Sequence, residues 1–207
     1  MPRTPRKAGY HHGALREALL ATSLKLIEQR GAGAVSLREV ARLAGVTSGA
    51  LYHHFADGSA LFAALATRGF TLLAEHLRTA STSARRGHAL GALVEAYVRF
   101  ALDQPAYFHV MFRPELSRPQ DHAEVQAAGD VAFQVLTDTM QACQRSGAVP
   151  AGDARPLVVM VWALAHGLAA LRLDGPLAMR SERLGSRPDA LTAQITLALD
   201  QLLATAR

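Results

Sequence analysis

The 207-residue sequence holds a single cysteine, Cys143, so no disulfide can form within the chain and cysteine-rich zinc modules are excluded. One cysteine fits a reducing compartment, and the expected location is cytoplasmic. Proline is missing from Lys7 to Gln104, two prolines preceding that stretch and seven following it. Long hydrophobic runs are also missing. The longest, Leu157 to Leu171, is 15 residues and contains His166, short of the roughly 18 that a bilayer span needs. No membrane partner is expected. The basic residues Arg3, Arg6 and Lys7 run straight into Gly9, Tyr10, His11 and His12, without the apolar stretch of a secretory signal. Catalytic spacings are absent too. Gly45-Val-Thr-Ser-Gly49 puts threonine where a nucleophile elbow needs serine, and Gly31-Ala-Gly33 lacks the third glycine of a dinucleotide loop. There is no His-Glu-x-x-His and no glycine-lysine phosphate loop, and Cys143 in a helical stretch reads as a small hydrophobe. Neither an enzyme nor a cofactor is expected.

What is present is a chain 50% hydrophobic, enough to bury one large core or two small ones. Its charge is uneven. Residues 1–58 carry eight Lys/Arg against four Asp/Glu, and residues 59–207 fourteen against thirteen. A small basic segment beside a nearly neutral apolar body suggests that the segment meets a polyanion, although a solvated basic tail gives the same count.

The proline-free stretch is rich in Ala and Leu and reads as helices. Leu15, Leu19, Thr22 and Leu26, widened by Leu20, Leu24 and Ile27, predict an amphipathic helix over 12–30 ended by Gly31 and Gly33. Ser36 and Glu39 form a capping box, with the serine oxygen on the third helical amide and the glutamate reaching back to the cap. The short helix that starts there runs to about Leu43 and stops at Ala44-Gly45-Val46, where a tight interhelical turn demands positive φ. A third short helix follows from Thr47 or Ser48 to about His54. Asp57 to Ser59 break the pattern before a longer helix over 61–79. Further helices are expected over 87–103, 105–113, 120–146, 154–173 and 188–205, with Pro156 and Pro188 in first turns. No period-2 run competes, so the fold class is all-α, with a domain boundary near residue 60.

Two short helices joined by a glycine turn behind a longer helix are the minimum description of a helix-turn-helix head. Ser36-Leu-Arg-Glu-Val-Ala-Arg-Leu-Ala-Gly-Val-Thr-Ser-Gly-Ala-Leu-Tyr-His-His-Phe55 resembles the DNA-binding head of the TetR family of bacterial regulators, and His12 to Leu61 follow that head's pattern. Leu51-Tyr52-His53-His54-Phe55 after Ala44-Gly45-Val46 carries most of the likeness. Read on their own, Val40, Ala41, Leu43 and Val46 bury one side of the unit, while Leu51 and Phe55 lock the second short helix onto the first long one. Thr47, Ser48, Gly49 and Ala50 are small enough to let that helix sink into a major groove and touch base edges or thymine methyls. The resemblance implies that Arg38, with Ser36 beside it, faces the bases, where a guanidinium grips guanine bidentately. It also implies that Tyr52 and His54 contact phosphates, with His53 in reach. Plain alternatives are a solvated arginine, a packed tyrosine with a wet hydroxyl and a surface histidine pair. Metal binding is not expected, because neighbouring helical histidines point about 100° apart with no further ligand at suitable spacing. Family members often carry a lysine three residues after the motif phenylalanine. This chain has Gly58 there, so compensation is expected from Arg3, Arg6, Lys7 or Arg42.

For residues 61–207 the resemblance implies helices that form a dimer surface and an effector cavity. Leu157 to Leu171 is apolar all round, and 188–205 places Leu191, Ile195, Leu199 and Leu202 on one stripe, so the last two helices are the expected homodimer interface; completion of a monomeric core is the alternative. Trp162-Ala-Leu-Ala-His166-Gly167 resembles the Trp/His-Gly signature of one C-terminal subclass. Trp162 and His166, four apart, could line one cavity with Tyr97, Phe100, Tyr107, Phe108, Met111 and Phe112, or simply pack the core. Such a wall suits a hydrophobic small molecule with one polar group. The expected function is a homodimeric regulator of a near-palindromic double-stranded DNA operator, most simply a repressor, released by an unknown small effector. A transcriptional activator and a dimeric helical scaffold without DNA binding are the other readings.

Overall fold

A computed structural model describes residues 8–85 and 87–205. Among the described residues the chain folds into eleven α-helices and one 3-10 turn, with no strand. In chain order these are α1 (Ala8–Arg30), the 3-10 turn (Ala32–Ala34), α2 (Leu37–Leu43), α3 (Ser48–Tyr52), α4 (Gly58–Ser83), α5 (Ala89–Asp103), α6 (Pro105–Met111), α7 (Pro114–Ser117), α8 (Ala123–Arg145), α9 (Arg155–Leu173), α10 (Pro176–Arg183) and α11 (Pro188–Thr205). Two of these, α7 and α10, were not expected from the sequence. Pro114 and Pro176 open them rather than merely separating their neighbours, because a first-turn residue has no intrahelical amide bond to lose. Two compact units can be distinguished. The first takes the residues up to Arg68 together with Ala106–Gln126, and the second Gly69–Pro105 together with Ala127–Arg207. The boundary expected near residue 60 falls, like the division at Arg68, within α4.

In the first unit, α1 packs against α2 and α2 against α3. Leu19, Leu20, Leu26 and Ile27 of α1 are buried, and so is Ser23, whose hydroxyl donates to the Leu19 carbonyl at 2.8 Å and thereby avoids an unpaired polar atom. Val40, Ala41, Leu51 and Phe55 close the core. The Arg16 guanidinium lies 5.3 Å from the centre of the Phe55 ring. Leu43, expected in this core, is instead 45% exposed. At 3.6 residues per turn the inward stripe of α2 runs through Leu37, Val40, Ala41 and Ala44, and Leu43 falls roughly 100° off it. Val46 is half-buried. Gly45 ends α2 at φ 70, which only glycine adopts cheaply, and the turn is closed by the Val46 amide on the Ala41 carbonyl at 3.0 Å.

In the second unit, α5 packs against both α9 and α11. It buries Leu90, Leu93, Val94, Tyr97, Phe100 and Ala101. Its contact with α11 is polar as well as apolar. The Gly91 amide donates to the Asp200 carboxylate at 3.1 Å, and Thr196 donates to Glu95 at 2.6 Å. Glycine is required at 91 by close approach: an added Cβ would collide with the Asp200 carboxylate and sit 2.9 Å from the Thr196 carbonyl oxygen. Within the chain α11 turns Thr192, Thr196, Leu199, Asp200 and Leu203 inward; of the stripe expected at a dimer surface, Leu199 is buried in this core, Leu191 and Ile195 are half-buried and Leu202 is 68% exposed. Helix α9 extends over 19 residues, close to the expected 154–173, with a window of mean hydropathy 1.7, long and apolar enough by length and composition to cross a membrane. It buries Val158, Val161, Ala165, Leu168 and Ala169 and leaves Val159, Met160 and Leu171 open.

Candidate nucleic-acid interface

The local chemistry of residues 36–60 sets two helix starts and one turn. Ser36 caps α2 by accepting the Glu39 amide at 3.2 Å, and Thr47 caps α3 by accepting the Ala50 amide at 3.2 Å. Only half of the expected capping box forms. The Glu39 carboxylate turns away from the cap to Arg42, with two bonds of 2.8 Å, and to Arg30 at 3.4 Å. These arginines, Arg42 first, hold the Glu39 carboxyl below its ordinary range. A fork-shaped guanidinium one turn away is a better partner for a carboxylate than a single amide. Arg42 is thereby engaged within its own helix. Arg3, Arg6 and Lys7, the other cations expected to replace the missing lysine contact, lie outside the described residues.

With Leu51 buried beneath it, α3 presents Thr47, Ser48, Gly49, Tyr52 and His53 to solvent, while Ala50 and His54 are half-buried. This follows from helical periodicity: Leu51 and Phe55, four apart, share the inward face and fix what must point outward. The Thr47 oxygen serves the cap, yet its hydroxyl proton remains available to an outside acceptor. Arg38 is exposed on the neighbouring helix. Arg38, Tyr52, Asp57 and Gly58 line a groove of about 490 Å³ together with the buried Leu61 and Phe62. Asp57 starts α4. Its carboxylate accepts the Ala60 amide at 2.9 Å and the Ser59 hydroxyl at 2.8 Å, and these bonds, the Ala60 amide foremost, hold the carboxyl low. The face of α3 is thus small and polar, flanked by a guanidinium and a phenol.

The residues expected around an effector divide between the two units. Tyr97, Phe100, Trp162 and His166 belong to the second. The Tyr97 hydroxyl lies 3.0 Å from His166 Nδ1, and burial pushes the phenol up and the imidazole down, so both groups are held neutral. Trp162 is 39% exposed and meets His166 at 6.4 Å and Phe133 edge-on at 5.9 Å between ring centres. Phe133 escaped the sequence reading because it lies off the inward stripe of α8, which runs through Ala132, Val135, Leu136 and Met140. Phe108, Met111 and Phe112 belong to the first unit, where the rings of Phe108 and Phe112 are 5.1 Å apart. A separate groove of about 450 Å³ in the second unit is lined by charged groups, Glu95, Arg99, Arg172 and Asp189, among small side chains. None of the residues expected around an effector, Tyr107 included, lines it. Its cue in the sequence is faint: Ala92, Glu95, Ala96 and Arg99 at i, i+3, i+4 and i+7 make a small-and-charged stripe that reads as an ordinary solvated face. Among the described residues no three His, Cys, Asp or Glu side chains gather to hold a metal ion.

Comparison with known proteins matches both regions of the chain. Residues 19–65 match the family described as bacterial regulatory proteins, tetR family, and residues 90–197 the family described as tetracyclin repressor-like, C-terminal domain. An uncharacterized HTH-type transcriptional regulator of Bacillus subtilis, YobS, is 29% identical over 96 residues, covering 46% of this chain; the chain spans 50% of that relative's length. The HTH-type transcriptional activator FasR of Mycolicibacterium smegmatis is 27% identical over 161 residues, 77% of this chain and 69% of that protein. A solved structure of a protein of unknown function from Rhodococcus sp. RHA1 is 30% identical, with a TM-score of 0.79 over 96% of this chain and 100% of that one.

Proposed function

Because the chain belongs to the TetR family of bacterial transcriptional regulators, a non-enzymatic DNA-binding family, we propose that it is a cytoplasmic homodimeric repressor released from a near-palindromic operator by a hydrophobic effector. The observation that carries this reading is the open, small-residue face of α3 beside Arg38 and Tyr52. Thr47, Ser48, Gly49 and Ala50 let the helix enter a major groove, Arg38 with Ser36 beside it faces the bases, and Tyr52, His53 and His54 hold phosphates. Residues 1–60 act as the head and 61–207 as the effector-binding and dimerisation domain. The Trp162 to Gly167 signature supports reading the latter as a member of the Trp/His-Gly subclass.

The open apolar side chains of α9 and α11, Val159, Met160, Leu171, Leu197 and Leu202, support dimerisation through these two helices. Two heads then read half-sites roughly 34–36 Å apart. The neutral Tyr97–His166 pair, with the Trp162 ring near it, supports an effector that carries one polar group. An effector that binds better to a dimer with a different head separation depletes the DNA-competent state by that difference in affinity. Activation is the second reading, favoured by the similarity to FasR.

Electrophoretic retardation of the DNA upstream of its own gene, repeated across a salt series, tests the proposal. Affinity should fall steeply with salt, as it does when phosphates release counterions. A protein that retards neither specific nor random DNA at low salt is a scaffold instead. A promoter-reporter assay with the gene deleted separates repression, where output rises, from activation, where it falls.

A further inference from the structure

Resting on the proposed DNA-binding role, we propose that His122 is a positioning residue for operator recognition, holding the lining of the Arg38–Tyr52 groove from 63 positions away through Ser59 and Asp57. His122 lies just ahead of α8, in the first unit, and its side chain is only 19% exposed. Its Nε2 sits 3.2 Å from the Ser59 hydroxyl oxygen. That hydroxyl has one proton, and it is donated to the Asp57 carboxylate at 2.8 Å. The imidazole must therefore be the donor, so Nε2 carries a proton and the Ser59 oxygen accepts it. The result is a directional chain, His122 to Ser59 to Asp57, ending on the same Asp57 oxygen that receives the Ala60 amide. Asp57 and its neighbour Gly58 line the same groove as Arg38 and Tyr52. On its other side His122 faces Glu124, 3.5 Å from Nδ1.

The segment that delivers His122 is held locally by the Asp121 amide on the Arg118 carbonyl at 2.9 Å and the Val125 amide on the His122 carbonyl at 3.0 Å. Arg118 has φ 42, the left-handed region, and no other non-glycine residue among the described ones has positive φ. Ser117 before it is fully buried with no partner for its hydroxyl. To these local bonds the His122–Ser59 bond adds a tie to the start of α4. Without it, Ser59 keeps its bond to Asp57 but loses the partner that limits its rotation, so the Asp57 side chain at the groove is held less firmly.

The test uses the full-length protein and fluorescence anisotropy on the operator and on a random duplex at one salt concentration, with a thermal melt of every variant. His122→Ala should weaken operator binding about 5- to 20-fold while random-duplex binding changes less than about 2-fold. His122→Gln, whose amide can still donate to Ser59, should restore most of that loss. In a Ser59→Ala background His122→Ala should add nothing, because the chain is already cut. The inference is overturned if His122→Ala leaves operator affinity unchanged, or if it weakens both duplexes alike without rescue by glutamine. Wild-type protein that binds neither duplex removes the DNA-binding reading itself, and this inference with it, which distinguishes the two failures.

Discussion

α3 and α9 each bury one face and leave another open, yet the open faces have opposite chemistry. On α3 the outward side chains are Thr47, Ser48, Gly49, Tyr52 and His53; on α9 they include Val159, Met160 and Leu171. Small polar groups lose little by staying in water and can be exchanged for base edges and phosphates, whereas large apolar groups in water favour association. Equal openness is what the two proposed partners require, a polyanion for the short helix and a second copy of the chain for the long one.

The comparison breaks most sharply at Phe55, whose buried ring locks α3 in place. Phe55→Ala should destabilise the protein by about 3–5 kcal/mol and abolish retardation of DNA, as read by denaturant melts and gel shift. Persistence of full DNA binding would show that α3 needs no such lock. On the other side, Met160→Asp puts a charge on the open face of α9, where Met160 is 45% exposed. Sedimentation should then report monomers, with operator affinity falling by about 100-fold or more, roughly 2.7 kcal/mol, and little change in the melt; an unaltered dimer would place the interface elsewhere. Arg38→Ala should cost about 1–3 kcal/mol on the operator and much less on a random duplex, whereas Tyr52→Phe should weaken both alike by a smaller factor. Equal losses for Arg38→Ala would count against base reading.

The smallest expected effect sharpens the contrast through pH. Asp57 in the first unit is held low by the Ala60 amide and Ser59, so its cap adds stability above the unfolded carboxylate value of about 3.9, and that stability is lost as pH falls through the folded value. Asp200 in the second unit is pushed up by burial, against the opposing pull of the Gly91 amide and His88. Its folded form binds protons more readily, so its contribution declines as pH rises from about 3.9 through its folded value. Urea melts between pH 3 and 6 should show opposite changes of slope for Asp57→Asn and Asp200→Asn. Like-signed changes would contradict the burial argument for Asp200.

Much of the first unit was legible before any coordinates. Ser36, Gly45 and Thr47 act on neighbours three to five positions away, and Leu51 and Phe55 share a face by helical spacing; such local rules need only the order of residues. Leu43 was misplaced because a seven-residue helix carries too few turns to fix its inward stripe from periodicity alone. The inward face of α11 was not legible from an apolar count for a different reason: α5 offers the bare amide of Gly91 and the carboxylate of Glu95, so threonines and Asp200 turn inward beside Leu199 and Leu203.

The order of residues by itself determined the all-helical class, the caps of α2 and α3 and the small face that α3 presents, because these depend on hydrogen bonds and periodicities confined to a few turns. Tertiary structure alone decided that Asp200 is buried on Gly91, that Phe133 meets Trp162 and that His122 reaches Ser59. Those pairings join residues dozens of positions apart, and their energies depend on distance, burial and donor direction, quantities that exist only once the helices have packed.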